Sequence, residues 1–454
     1  MRDQNGVLQS VSANTSSGGA LESVIQMQVM KLSDKQAANL EKELQTVFKH
    51  VKVAVTDWDD ILRKVNHVIT EIGVSADLLA QSLKDSNKKQ VLDNAQEIKE
   101  FLDWLKNNNF VFLGYVYYEK SSGKEATIID GSKLGILKLG DPSLTPRNCK
   151  EIKTNPLLGK EQTLLEITKA NRKSVVHRPV HMDYIGIKRL DEQGNIIGEH
   201  RFLGLFTSKV YYQSVKNVPL IRKKLESIHK KSGFSDGGHS GKALSAILED
   251  FPRDELLQSS EDYLFDSAMG IVMLSIQSKV RVFFRKDEFE RFISCLVFIP
   301  KDRMNTNLRK KIEKILKTEL NGTISNHYTQ VTESHMARLQ FIVKTEPGNV
   351  PDYDEREIES MVTAAARNWV DDLQDYLYKK FDEENGEEIY EKYRKAFSLS
   401  YRNRFSVEDA YYDILQIEKV IDKKQVTFDI YESSESTEEI FEFKIYTLNE
   451  QVRL

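Results

Sequence analysis

Val280-Arg281-Val282-Phe283-Phe284-Arg285 and, after a charged reversal at Lys286-Asp287-Glu288, Phe292-Ile293-Ser294-Cys295-Leu296-Val297-Phe298-Ile299 decide how this chain folds. Val280, Val282 and Phe284, then Ile293, Cys295, Val297 and Ile299, repeat with period two, the signature of half-buried strands. Past Pro300, the polar stretch Lys301 to Asn305 leads to Thr306, read as the cap of a helix. On that helix Leu308, Ile312, Ile315, Leu316 and Leu320 recur at three- and four-residue steps, with lysines and glutamates on the other face. Asn321-Gly322 ends it, and Ile324 to Val331 and Ala337 to Val343 read as two more strands. A helix over Asp254 to Ser275 precedes the unit. A strand, strand, helix, strand order belongs more often to regulatory ligand-binding modules than to active sites.

The same order is expected at the start of the chain. Asn5-Gly6 turns before Val7 to Val11, and Ile25, Met27 and Val29 alternate as a second strand. Ser33 caps a helix bearing Leu40, Leu44, Val47 and Phe48, and Val51 to Val55 reads as the closing strand. No helix precedes this copy, so residue 1 is expected to lie inside a module whose first elements are missing.

A length of 454 residues accommodates about three domains of ordinary size. With 65 basic and 69 acidic residues the net charge is −4, and no basic stripe is interleaved with aromatics, so nucleic acid is not an expected partner. Apolar stretches such as Ile271 to Leu274 and Cys295 to Pro300 are too short to cross a bilayer. Met1-Arg2-Asp3-Gln4 has no apolar run behind it that would form a secretory signal. Two cysteines, Cys149 and Cys295, fit a reducing cytoplasm, and Cys295 on a strand reads as core filler rather than nucleophile.

Between the two copies, Asp57-Trp58-Asp59-Asp60 places acids on the first turn of a long helical region through Leu79, Leu83, Val91, Ile98, Leu102 and Leu105. Asn107-Asn108-Asn109 stops it. A β-rich region runs from Phe110 to about Gln213, centred on Tyr184 to Thr207, where Asp191 to Asn195 separates two alternating strands of an antiparallel sheet. From Asn217 the chain turns helical, with a Gly- and Ser-rich loop at Ser232 to Gly241. After Pro347-Gly348-Asn349 a helix is expected from Asp354 to Phe381, further helices to Ile421, and strands at Val426 to Tyr431 and Ile440 to Leu448.

Catalytic signatures do not emerge. Ser240-Gly241-Lys242-Ala243 resembles the end of a phosphate loop, but Asp236 stands where that loop needs glycine and Ala243 where it needs a hydroxyl. Gly131, Gly135 and Gly140 have the wrong spacing for a dinucleotide fingerprint. His177 and His181 are four apart, but Pro179 makes their segment extended, so they would share no helical face and no metal site is assigned. One cluster has ligand chemistry: Arg172, Lys173, His177, Arg178, Asp183, Tyr184 and Arg201 gather cations and aromatics around the middle sheet. Arginine holds a carboxylate or phosphate bidentately; the alternative is a structural ion network.

Several long motifs carry a resemblance. Thr168-Lys169-Ala170-Asn171, Val176-His177-Arg178-Pro179, Asp183-Tyr184-Ile185-Gly186 and Arg201-Phe202-Leu203-Gly204-Leu205-Phe206-Thr207 stand in the first half. Pro252-Arg253-Asp254-Glu255-Leu256, Pro300-Lys301-Asp302-Arg303-Met304-Asn305-Thr306, Glu333-Ser334-His335-Met336-Ala337-Arg338-Leu339 and Trp369-Val370-Asp371-Asp372-Leu373 follow in order. Together they resemble the N-terminal half of large bacterial NAD-dependent glutamate dehydrogenases over nearly the whole chain.

That resemblance implies an α+β architecture of tandem ACT-like (ferredoxin-like) modules and a PAS-like antiparallel sheet joined by helical motifs. The expected divisions are a truncated ACT-like module over 1–64, a helical connector over 65–109, a β-rich region, PAS-like or ACT-like, over 110–216 and a helical linker over 217–253. An ACT-like module over 254–348, a helical motif over 349–423 and a β-hairpin opening a further module over 424–454 complete the list. No catalytic or cofactor-binding residue is carried over, since NAD and substrate would be handled by a catalytic domain beyond this sequence. The expected role is regulatory and oligomerising, with the catalytic half, further copies of the chain and a small metabolite such as an amino acid as partners. Candidate effector-binding residues are Arg303, Asn305 and Thr306 at a helix N-terminus, and His177, Arg178, Tyr184 and Arg201 on the middle sheet. The alternative is a purely structural assembly scaffold.

Overall fold

The computed structural model describes residues 25–81, 85–120, 126–140, 164–193, 195–235, 237–274, 279–287, 290–331, 335–346, 349–432 and 441–448. The chain divides into two compact units, Met1–Val210 and Tyr211–Leu454.

The first unit opens with three helices, α1 (Asp34–Thr56), α2 (Trp58–Gln81) and α3 (Asp85–Trp104). Ser33 and Gln36 form a capping box at the start of α1. Val51 to Val55, expected as a closing strand, instead forms the last turns of α1. Val47, His50 and Ala54 are turned inward at helical spacing, and Val47, Val53 and Ala54 pack on the sheet core. The helical period outweighs the strand preference of the valines. Ile25, Met27 and Val29 form no strand and are exposed, with no neighbouring strand to pair with among the described residues. Val7 to Val11 lies outside the described residues.

At the junction of α1 and α2, the Asp57 carboxylate turns inward to accept from the Gly135 amide at 2.7 Å and Lys138 Nζ at 2.8 Å. The three asparagines stop the helical run as expected. Asn108 is left-handed at φ 59°, and the Asn109 side chain donates to the Trp104 carbonyl at 2.7 Å.

The sheet that follows comprises β1 (Phe110–Lys120), β2 (Ala126–Ile128), β3 (Leu134–Gly135), β4 (Leu165–Lys173), β5 (His181–Leu190) and β6 (Ile196–Phe206). Its order is β2-β1-β6-β5-β4, with β3 beside β1, and every pairing is antiparallel. A bulge between Phe112 and Gly114 lets Gly135, at φ 61°, approach the Leu113 carbonyl so closely that a side chain there would overlap it. One sheet face meets α2 and α3, where Trp104 packs on Phe206 and Lys64 lies over Tyr115. The other carries a core of Leu113, Val116, Tyr118, Tyr184 and Leu203 with Ala54 of α1.

The helix α4 (Ser208–Tyr212) lies at the unit boundary, and the second unit continues with α5 (Ile221–Ser232), α6 (His239–Asp250), α7 (Arg253–Gln258) and α8 (Glu261–Leu274). The single helix expected over Asp254 to Ser275 is thus two. Ser259 is extended at ψ 153°, and Ser260 Oγ recaps the chain by accepting from the Tyr263 amide at 3.2 Å.

Then come β7 (Arg281–Lys286), β8 (Phe292–Pro300), α9 (Thr306–Glu319), β9 (Thr323–Val331), β10 (Met336–Lys344) and α10 (Glu355–Ala365). The sheet order is β7-β8-β10-β9, antiparallel throughout. This is a ferredoxin-like sheet in circular permutation: a hairpin, a helix, a second hairpin whose last strand runs centrally beside β8, and a closing helix. Val282, Phe284, Cys295, Val297, Leu339 and Phe341 meet Ile312 and Leu316 of α9 and Ile358 and Val362 of α10 in one core.

A helical bundle follows, made of α11 (Trp369–Lys380), α12 (Glu383–Tyr393), α13 (Leu399–Arg404) and α14 (Val407–Lys423). The helix expected from Asp354 to Phe381 breaks after α10 because Asn368 forms a capping box with Asp371 and starts α11 anew. The hairpin of β11 (Thr427–Glu432) and β12 (Phe441–Tyr446) ends the described chain.

Candidate functional site

The cluster singled out around the middle sheet assembles in part. Arg201 and Glu199, two apart on β6, share a face and form a paired ion bridge, Nε to Oε1 at 2.6 Å and Nη2 to Oε2 at 3.1 Å. The guanidinium lies 4.3 Å from the Tyr118 ring centroid and 5.4 Å from that of Tyr184. Room for this exists because residue 186, directly across from Arg201 in the register, is glycine; a side chain there would collide with the Glu199 carboxylate. Burial pushes the Tyr184 phenol well above its ordinary value. His177, exposed and left-handed at φ 62°, and Arg178, which donates to the Phe206 carbonyl, form the turn between β4 and β5. Asp183 pairs with Lys169 across the strands at 2.6 Å.

The opposite sheet face holds a network that the sequence reading missed. Glu71 of α2 accepts from Arg189 Nε of β5 at 2.6 Å, and its other oxygen lies 2.8 Å from His200 Nε2 of β6. The Tyr115 hydroxyl lies 2.9 Å from His200 Nδ1, and Arg189 also donates to the Tyr117 hydroxyl at 3.2 Å. The His200 hydrogen bond, opposed by burial, holds the Glu71 carboxyl below its usual range. Val68, Ile72, Ser75 and Leu190 line a shallow groove beside these groups. Glu71 and His200 lie 129 residues apart, so no local spacing could have joined them.

In the second unit, the Arg303 guanidinium bridges to Asp371 of α11 at 2.9 Å. Asn305, rather than Thr306, caps α9: its side chain accepts from the Leu308 amide at 2.9 Å and donates to the Arg303 carbonyl at 3.1 Å. Thr306 is the first helical residue. The expected carboxylate site therefore already holds the protein's own oxygen at the helix terminus and its own carboxylate on the arginine.

The far face of the ferredoxin-like sheet carries a further buried network. Glu255 of α7 accepts from Arg285 Nε at 2.5 Å and Nη2 at 3.1 Å, from Gln340 at 3.2 Å and from Ser259 at 3.3 Å. Lys224 donates to the carbonyls of Leu256, Leu257 and Ser259 where α7 ends, and burial lowers its pKa to about 8. Ser240 to Lys242 opens α6 after another helix, without the strand a phosphate loop needs. Cys295 is buried in the core of β8, and burial raises its thiol pKa well above the ordinary value. Among the described residues no group of three or more His, Cys, Asp or Glu could hold a metal ion. Among them, too, no helix is long and apolar enough to cross a membrane.

These networks match charges inside the fold, between a helix layer and a sheet. The architecture is that of a multi-module α+β protein with a ferredoxin-like module at residues 281–365. Three family descriptions match in succession: "Glutamate dehydrogenase, helical motif 1" over 218–277, "Glutamate dehydrogenase, ACT2 domain" over 281–370 and "Glutamate dehydrogenase, helical motif 2" over 376–420. The permuted sheet is thus an ACT domain, and α5–α8 and most of α11–α14 are its flanking helical motifs. The chain is 35% identical over 445 residues to the NAD-specific glutamate dehydrogenase of Halomonas elongata, covering 95% of this chain and 26% of that one. It is 32% identical to that of Pseudomonas aeruginosa over 90% of this chain and 25% of that one. The Mycobacterium tuberculosis enzyme of the same name is 26% identical over 86% of this chain and 23% of its own. The chain belongs to the large NAD-specific glutamate dehydrogenase family. It spans about a quarter of the length of the curated relatives it matches.

Proposed function

We propose that this chain is the regulatory and oligomerising region of an enzyme that converts L-glutamate and NAD to 2-oxoglutarate, ammonium and NADH, and that it works by binding rather than chemistry. The observation that carries this reading is the ACT domain between two helical motifs, in a chain matching one quarter of enzymes named NAD-specific glutamate dehydrogenase. NAD and glutamate would be handled by a catalytic domain elsewhere in the enzyme, which is also the chain's principal partner, and the setting would be the cytoplasm. The sheet of the first unit is read as PAS-like: leaving aside the two-residue β3, its five strands lie in the order 2-1-5-4-3.

The ligand is a small effector, with an amino acid as the leading class. Of the two candidate sites, the turn at Arg303, Asn305 and Thr306 is favoured. Arg303 and Asp371 are each about one quarter exposed, whereas the Arg201 and Glu199 side chains are 7% and 4% exposed. An incoming carboxylate would compete with Asp371 for Arg303 and release the start of α11, giving the effector different affinities for two arrangements. Thermal-shift screening with amino acids tests the reading, followed by calorimetry on Arg303→Ala. A reproducible rise in melting temperature supports sensing, and weaker binding by the variant supports the site. Undiminished affinity removes the site, and no rise for any amino acid beside a stable oligomer favours a scaffold.

A further inference from the structure

Helix α7 is tied on two sides. Toward the sheet, Glu255 accepts from Arg285 of β7 and Gln340 of β10. Toward α5, the carbonyls of Leu256, Leu257 and Ser259 accept from Lys224 Nζ at 2.9, 3.3 and 2.8 Å. The N-terminal end of α7 is fixed separately, because Arg253 donates to the Glu249 and Phe251 carbonyls at 2.6 and 3.2 Å. Its C-terminal end is a joint, since Ser259 is extended and parts α7 from α8. Lys224 therefore holds down the end of α7 that is able to move.

Lys224 is also the group whose charge is poorly matched. Arg285 stands close enough to oppose a second cation, and its own counter-charge, the Glu255 side chain, is 1% exposed and engaged by Nε and Nη2 of that arginine. The carboxylate that favours the Lys224 ammonium is Glu261 of α8, which is exposed and accepts from the Ser227 hydroxyl. An arginine keeps its proton at any physiological pH, so the lysine beside it is the cation that titrates.

We propose that Lys224 is a proton-sensitive latch on helical motif 1: proton uptake frees the end of α7 from α5, and proton loss closes it. In the closed arrangement burial, more than Arg285, holds the Lys224 pKa at about 8, whereas a freed α7 returns the amine to water and to its ordinary 10.5. The open arrangement thus binds the proton more tightly, and lower pH favours it. The neutral amine keeps two N–H donors, enough for the two shorter bonds to Ser259 and Leu256. Between pH 7 and 9 the two pKa values move the balance toward the closed form by about tenfold. Glu255 precedes these carbonyls on the same short helix, so a freed end alters its hold on Arg285 and Gln340 and carries the change to the ACT sheet. The inference goes beyond the effector reading, because the proton acts on helical motif 1 and on neither candidate effector site.

Hydrogen exchange followed by mass spectrometry on the 454-residue chain tests it, with rates corrected for their intrinsic dependence on pH and no amino acid added. The α7 amides from Leu256 to Ser259 are expected to open independently, with lower protection than β8, and their protection to rise about tenfold from pH 7 to 9. Lys224→Met is expected to abolish that rise. Amides of α7 that exchange only together with β8, or protection that stays constant between pH 7 and 9, overturn the latch. A rise that persists in folded Lys224→Met overturns it as well. Should that variant fail to fold, the wild-type comparison of α7 with β8 across pH decides alone.

Discussion

Replacing Arg201 by leucine separates a structural role from a ligand-binding one. The Arg201 side chain is 7% exposed and that of its partner Glu199 is 4% exposed, so the variant strands a buried carboxylate without its counter-charge. Such a loss costs about 3–5 kcal/mol, with the lost stacking on Tyr118 and Tyr184 contained in that range. For a unit of this size each kcal/mol corresponds to about 2–4 °C, so the first unit should melt roughly 10 °C lower. Removing both charges, with Glu199→Leu added, should recover most of the loss, because no unpaired ion remains. Differential scanning calorimetry and urea titration of the four proteins of this cycle give the coupling directly. A single variant within about 1 kcal/mol of wild type, with an effector-induced thermal shift abolished, would refute the structural reading and make Arg201 a ligand contact.

Further outcomes follow from the same geometry. Gly186→Ala places a methyl against the Glu199 carboxylate and should cost about 1–3 kcal/mol in chemical denaturation, although alanine suits a strand better than glycine. The folded pKa of Glu71 lies below its ordinary 4.5, so its stabilisation is complete above that pH and fades as pH falls through the folded value. His200→Phe removes the largest cause of that shift, and the drop in urea midpoint between neutral pH and pH near 4 should shrink. A Glu71 carboxyl titrating unchanged by NMR in that variant would contradict the network. Lys224 runs the other way: its folded pKa of about 8 lies below the ordinary 10.5, so the unfolded chain binds more protons in between. Stability from this group should therefore rise as pH climbs from about 8 to 10.5, and a labelled Lys224 side chain should titrate near 8 rather than 10.5.

The ACT module was legible because its signals are local. Val282, Phe284, Cys295 and Val297 alternate as β7 and β8 require, and Leu308, Ile312 and Leu316 mark the buried stripe of α9. Asn108, Asn321 and the turn at Asp191 stopped or reversed the chain where expected. The misreadings arose where two local signals competed. Val51, Val53 and Val55 carry strand preference, but they lie in a helix that Ser33 had already capped and that Val47, His50 and Ala54 bury along one face. Side-chain caps at Ser260 and Asn368 broke helices that apolar periodicity alone had joined. The Arg201 cluster was found because Tyr184 and Arg201 fall on neighbouring strands, yet its partner Glu199 was overlooked. The Glu71 network joins a helix to two distant strands, a contact only the folded sheet creates.

The central claim, that this region binds an effector and performs no chemistry on NAD, is tested most directly by calorimetric titration of the purified chain with a panel of L-amino acids and with NAD. The account predicts saturable heat with at least one amino acid and none with NAD. Saturable NAD binding, or no heat with any amino acid, would contradict it.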